Sequence, residues 1–342
     1  MNKISRYYAL IPILCLPLFL VGCGDGGANN ITNEQEIVTL VLSTGPTAGF
    51  EWGGEMLKAF VYEESGGTLI LNHFPQNQLA GGNDRLAIEM TIFGDIDIAG
   101  SATSALVDLW PDLALFDTHF LFRNHEHARE HLGGEVGQYI LSNMEDNGVR
   151  GMAFWEMGFR NLTNNLRPVH TPADASGMVI RTLENPLHIV AWNAFGANPT
   201  PMSFGEVFTA LQQGTVDGQE NPLTIIGQNA FYEVQDYIVM TQHVYVPQVM
   251  TMNIDSWNAL SQFHQDVLTR GFQVVSPQQW IQSQVYENEI YEHIVNSGRS
   301  QLIHLTPDEH QQFVDAISAS DALELIRNTM NNPHLLEQVL ES

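Results

Sequence analysis

Lysine is almost missing from this 342-residue chain: Lys3 and Lys58 are the only two, and 13 basic residues face 39 acidic ones for a formal charge of -26. Such a surface repels phosphate backbones, so nucleic acid is excluded as a partner. It also suits a saline habitat, where excess carboxylates keep a protein hydrated. Cysteine is equally scarce. Cys15 and Cys23 both fall in the first two dozen residues, which leaves the rest without a disulfide framework or a cysteine-based metal site. Beyond that opening segment no apolar run approaches the roughly 20 residues of a spanning helix. Gly-x-Ser-x-Gly elbows, phosphate-binding glycine loops and dinucleotide fingerprints are absent too, so hydrolase, kinase and dehydrogenase chemistry has no support and no cofactor is expected.

What is present begins with an export signal. Lys3 and Arg6 precede an apolar run from Tyr8 to Val21, broken by Pro12 and Pro17 and closed by Leu20-Val21-Gly22-Cys23. The closing string resembles the lipobox of bacterial lipoproteins, which implies that residues 1–23 are a signal peptide and Cys23 a lipid anchor. Residues 24–36 then form a flexible polar tether. Plain secretion with Cys23 incidental is the alternative. The remainder, roughly 300 residues, has the length of two ordinary domains, and 44% apolar composition is enough for a core in each.

From Ile37 short apolar strands alternate with helical stretches. Ile37 to Ser43 reads as a strand and Glu51 to Ser65 as a helix, with Met56, Leu57, Phe60 and Val61 at helical spacing. Thr68 to Phe74, Asn83 to Thr91 and Ile96 to Ser101 continue the alternation, an order that implies a parallel sheet. His125 to Met144 reads as one helix and Val149 to Trp155 as a strand. The series then restarts with strands at 178–181, 216–219 and 237–241 and helices at 186–195 and 205–213. After Val246 long helical patterns follow, above all Pro277 to Asn296.

The informative strings lie between Gly158 and Pro247. They include Gly158-Phe159-Arg160-Asn161, Val179-Ile180-Arg181-Thr182, Val216-Asp217-Gly218-Gln219-Glu220-Asn221-Pro222 and Thr241-Gln242-His243. With Phe74-Pro75-Gln76-Asn77-Gln78-Leu79 and Gly81-Gly82-Asn83-Asp84-Arg85, they resemble the DctP-type substrate-binding proteins of tripartite ATP-independent periplasmic (TRAP) transporters. The resemblance implies an α/β clamshell of two lobes, each a sheet flanked by helices, joined by hinge strands and a long bracing helix. The lobes would comprise residues 37–158 with 247–286 and 159–246 with 287–342. A monomeric, non-enzymatic protein outside the cytoplasm would capture a small organic acid and pass it to TRAP membrane subunits, touching the membrane only through its anchor.

Arg181 is the central expectation. It ends an apolar strand in a chain poor in cations, and a guanidinium's planar fork matches a carboxylate. In the family the arginine at this position clamps the ligand carboxylate. Arg160 matches a second basic pocket residue, Asn221 an amide contact, Phe204 an aromatic against the ligand body, and Glu220 a group that orients an arginine. At carboxyl ends of strands, where open α/β sheets bind ligands, Phe50, Glu51, Trp52 and Ser101 are expected to read the far end, with Trp155, Asn185 and His243 weaker candidates. A sensor or chemoreceptor role would leave the same sequence. A secreted zinc enzyme built on the His125–His131 cluster is the enzymatic alternative. His127 and His131 stand four apart, but Ala128 occupies the place where a metalloprotease needs glutamate.

Overall fold

The computed structural model describes residues 36–342, so the export segment, Cys23 and almost all of the tether lie outside it. The first alternation is present as read: β1 (Val38–Ser43), α1 (Ala48–Glu64), β2 (Leu69–Phe74), α2 (Asp84–Phe93) and β3 (Ile98–Ala102). β1 pairs in parallel with both β2 and β3. Each helix starts on a side-chain cap that satisfies an otherwise orphaned amide. Thr47 Oγ1 accepts from Phe50 N–H at 3.2 Å, and Asn83 Oδ1 accepts from Leu86 N–H at 2.9 Å.

The sheet as a whole is mixed rather than parallel. β9 (Tyr245–Asn253) runs antiparallel between β3 and β4 (Val149–Asn164). All nine residues of β9 are buried, so it lacks the alternation that marks a half-exposed strand, and the region was read as helical for that reason. β4 itself continues nine residues past Trp155 and changes partners on the way. Val149 to Phe159 lie against β9, Arg160 to Asn164 against β7 (Gly218–Pro222), and Leu162 to Asn164 also against β8 (Tyr237–Met240). The exchange coincides with a register shift between Glu156 and Phe159, where Gly158 takes φ of 109°, a region disfavoured for residues with a Cβ.

Beyond the bend, β7 joins β5 (Val179–Thr182), which carries β6 (Asn198–Pro201), and β8 carries β10 (Gln301–His304). The path is β2-β1-β3-β9-β4-β7-β5-β6. Each half has a core of its own, and a further cluster, in which Leu113 and Phe154 join Leu187 and Ile326, is shared between them. Leu42, Leu57, Leu71, Trp155 and Phe272 pack in the core of one half, and Leu162, Ile180, Trp192, Val239 and Phe313 in that of the other.

The helix expected over 125–144 is split at extended Gly134 into α3 (His125–Gly133) and α4 (Glu135–Ser142). α5 (Pro186–Ala194) follows β5. The bracing helix α6 (Gln262–Ser297) is 36 residues long and runs through Pro277 instead of starting there. Gly53 lets α1 approach it closely: a Cβ there would sit 2.9 Å from Trp155 and 3.1 Å from Gln279. α7 (Ala322–Thr329) packs against α5.

Candidate ligand site

β5 carries Arg181 to the carboxyl end of its strand, where the chain turns through Leu183, Glu184 and Asn185 into α5. The loop after β6 brings Met202, Ser203 and Phe204 alongside. Across from them stand Asn83 and Asp84 at the start of α2, and Ser104 with Val107 after β3. α7 contributes Leu325 and Thr329, and together these segments enclose a cavity of about 630 Å³.

Arg181 is 1% exposed, and its donors are unequally used. Nε and Nη2 both donate to the Met202 carbonyl, at 3.0 and 2.6 Å. Nη1 is buried without a partner. One backbone oxygen thus takes the side-on pair of the guanidinium, and the end-on side keeps a donor with no acceptor in the protein. Burial and the neighbouring Arg160 push Arg181 down to about 10, still a cation at neutral pH.

Behind it Arg160 is committed inside the protein. Its Nε and Nη2 go to the Glu220 carboxylate, with Nη2 to Oε1 at 2.9 Å, and Nη2 also meets the Glu220 carbonyl. His243 Nε2 lies 3.2 Å from Glu220 Oε2, while its Nδ1 meets Thr241 Oγ1 at 2.7 Å. Burial alone would raise the Glu220 carboxyl. Arg160 and the two histidines His243 and His188 reverse this and hold it well below the usual carboxylate range.

A second buried carboxylate, Asp117, ties the walls together. It accepts from Asn185 Nδ2 at 2.7 Å and from the Ser104 hydroxyl, and lies 3.0 Å from His188 Nε2. Asn185 also donates to the Ser104 carbonyl at 2.8 Å and caps α5 through Leu187 N–H at 2.9 Å.

Asp84 stands on the opposite wall. Its Oδ1 accepts from Asn77 Nδ2 at 2.7 Å. Burial pushes its carboxyl up to about 6. An acid raised in the folded state binds its proton more tightly there than in the unfolded chain, so ionising it costs stability. That cost is absent below about pH 4 and complete above pH 6. Asp84→Asn is therefore expected to stabilise the protein by about 1–3 kcal/mol at pH 8 and not at pH 4, measured by urea unfolding at both.

Of the residues singled out from sequence, the cavity gathers Arg181, Asn185 and Phe204. Arg160, Glu220 and His243 form the buried network behind it, and Ser101 Oγ donates to the Asp84 carbonyl at 3.1 Å beneath the start of α2. Phe50 and Trp155 are corrected: both are fully buried in core, stacked at 6.4 Å, with the indole N–H given to Ser276. Glu51 and Trp52 sit on α1, exposed and half-buried, away from the cavity lining. Asn221 also lies off it, its amide donating to Gln219 Oε1 within β7. Asp84, Asp117, His188 and Ser104 were missed as site residues. Asn83-Asp84 opening a helix was the one usable signal.

Within the histidine cluster only His127 and His131 meet. His125 turns to Glu156, its Nδ1 2.7 Å from Oε1. His127 Nε2 lies 3.2 Å from His131 Nε2, while Arg123 N–H donates to His127 Nδ1 at 3.3 Å. That donor places the neutral ring's proton on Nε2, which then donates and has no lone pair for a metal. Among the described residues no group of three or more metal-ligating side chains occurs. Nor is any described helix long and apolar enough to cross a membrane.

A mixed sheet in two halves, a strand that bends between them and a cavity closed by loops from both define a two-lobed binding-protein architecture. Solved structures agree. The sugar acid binding protein of Advenella mimigardefordensis in complex with galactonate superimposes with a TM-score of 0.84 at 28% identity, covering 90% of this chain and 97% of that one. A TRAP periplasmic solute-binding protein of Polaromonas sp. JS666 bound to D-erythronate gives 0.82 at 31% identity, with 88% and 98% covered. The 2,3-diketo-L-gulonate-binding periplasmic protein of Escherichia coli (strain K12) is 34% identical over 256 residues, 75% of this chain and 77% of its own length. Residues 49–322 match the bacterial extracellular solute-binding proteins, family 7, the DctP family, and the chain belongs to that family.

Proposed function

We propose that this is the extracytoplasmic solute-binding protein of a TRAP transporter, and that Arg181 takes the carboxylate of a small organic acid through the end-on face of its guanidinium. The observation that carries the assignment is the unpartnered Nη1 of a 1% exposed arginine on the wall of a 630 Å³ cavity. A buried donor without an acceptor costs free energy until a ligand supplies one. Sugar acids in the related structures and diketogulonate in the Escherichia coli relative's name support the ligand class. Family membership supports delivery to membrane subunits and argues against catalysis. A monomer held to the membrane by Cys23, with lobes dividing near Gly158 and Val246, completes the proposal.

Thermal-shift screening against an organic-acid library tests it. One class of acid is expected to raise the melting temperature, since a ligand at 100 times its Kd stabilises by about 2.7 kcal/mol. If no carboxylate shifts the protein and neutral sugars do, the assignment fails.

A further inference from the structure

Two residues of the cavity wall, Leu325 and Thr329, come from α7 and stand past residue 322, where the match to the family ends. Four positions apart on a helix, they share a face. The adjoining face is core, with Ala322, Ile326 and Met330 all buried. Ala322 packs in the core that holds Ile180, while Ile326 and Met330 enter the cluster shared with Leu113 and Leu187. Leu335, Leu336 and Val339 follow them into that cluster, and the Asn332 amide donates to Asp112 Oδ1 at 2.7 Å. α7 is thus held between the short helical segment Pro111–Asp117 and α5. Leu325 and Val107 pack on the open side of the shared cluster, and both line the cavity.

The α7 wall acts on a bound molecule by shape. Thr329 gives its hydroxyl proton to the Leu325 carbonyl at 2.8 Å, and the Leu325 side chain is hydrocarbon, so neither has a proton to donate. With close-packed core on its other face, the wall has little room to retreat.

We propose that Leu325 sets the upper size of the acid that the site accepts, as a specificity determinant outside the segment that matches the family. This rests on Arg181 anchoring the carboxylate, which fixes where the remainder of the molecule must fit. An acid one carbon too long would have to displace Leu325 and the core behind it, and overpacked cores are destabilised. One methylene in an apolar pocket is worth roughly 10- to 200-fold in discrimination.

Two graded series measure the limit by calorimetry: D-glycerate, D-erythronate, D-ribonate and D-galactonate, and the unbranched 2-hydroxy acids from lactate to 2-hydroxyoctanoate. Leu325→Ala is expected to move the best-bound length up by at least one carbon, favouring the longer of two adjacent acids by about tenfold more than the unaltered protein does. Leu325→Phe should move it down. Leu323→Ala is the control, because Leu323 lies on the same helix and packs against the same cluster without lining the cavity. Loosening of α7 alone would show in that variant too, whereas a size limit set by Leu325 leaves its length preference unchanged. A preference that neither Leu325 variant moves, or that Leu323→Ala moves equally, overturns the inference and leaves the carboxylate clamp standing. If no acid of either series binds, the inference fails, and the clamp falls with it only when the whole organic-acid library is silent as well.

Discussion

Arg181→Ala should lose ligand binding by roughly 30- to 5000-fold, the equivalent of the 2 to 5 kcal/mol that follows when one partner of a buried hydrogen-bonded charge pair is removed. The same change should leave the ligand-free protein as stable as before or more so. In the empty site the guanidinium is a buried cation with one nitrogen unpaired and Arg160 behind it, the two causes that push it down to about 10. Removing it relieves that cost. Arg181→Lys should fail almost as badly, since an ammonium cannot hold the Met202 carbonyl and present a parallel pair of donors to a carboxylate at once. Isothermal calorimetry with a ligand identified by screening, beside melting curves without ligand, checks both halves. Full affinity in Arg181→Lys would falsify the clamp.

Glu220→Ala should cost the fold about 3–5 kcal/mol, the largest loss expected from any single change in the site. Glu220 has no exposed surface, and its carboxylate is the acceptor for Arg160 and His243. Its removal leaves the Arg160 cation buried and uncompensated. The double change Arg160→Met with Glu220→Leu should recover much of the loss, because well-packed apolar residues often replace a buried ion pair at little cost. The pair also sets a pH dependence. An acid depressed in the folded state contributes stability that is complete above its unfolded value of about 4.5 and fades as pH falls below it. Urea unfolding of the unaltered protein should weaken below that point, and Glu220→Gln should flatten this part of the curve.

Legibility in the sequence followed burial. Helices with one wet face announced themselves, as α1 did through Leu57 and Val61. β9 did not, because a strand buried along its whole length has no alternation to show. The reach of α6 through Pro277 was hidden because proline usually marks a first turn, and here contacts with α1 and β4 hold the helix on both sides of it. Arg181 stood out because so few cations compete with it. Phe50 and Trp155 were misassigned because an aromatic near the end of a strand looks the same whether it faces a ligand or a core. Asp117 and His188 were invisible, since they become neighbours only when the segment after β3 meets α5.

The bend in β4 has a bearing on how the molecule comes apart. A strand that hydrogen-bonds to β9 before Gly158 and to β7 and β8 after it gives each half of the protein a backbone edge that only the other half keeps in place. The cores that belong to one half alone would by themselves permit two melting steps. Loss of either half frays the strand on which its neighbour is built, so the chain should behave as one cooperative foldon, its slowest-exchanging amide protons strung along residues on both sides of the bend.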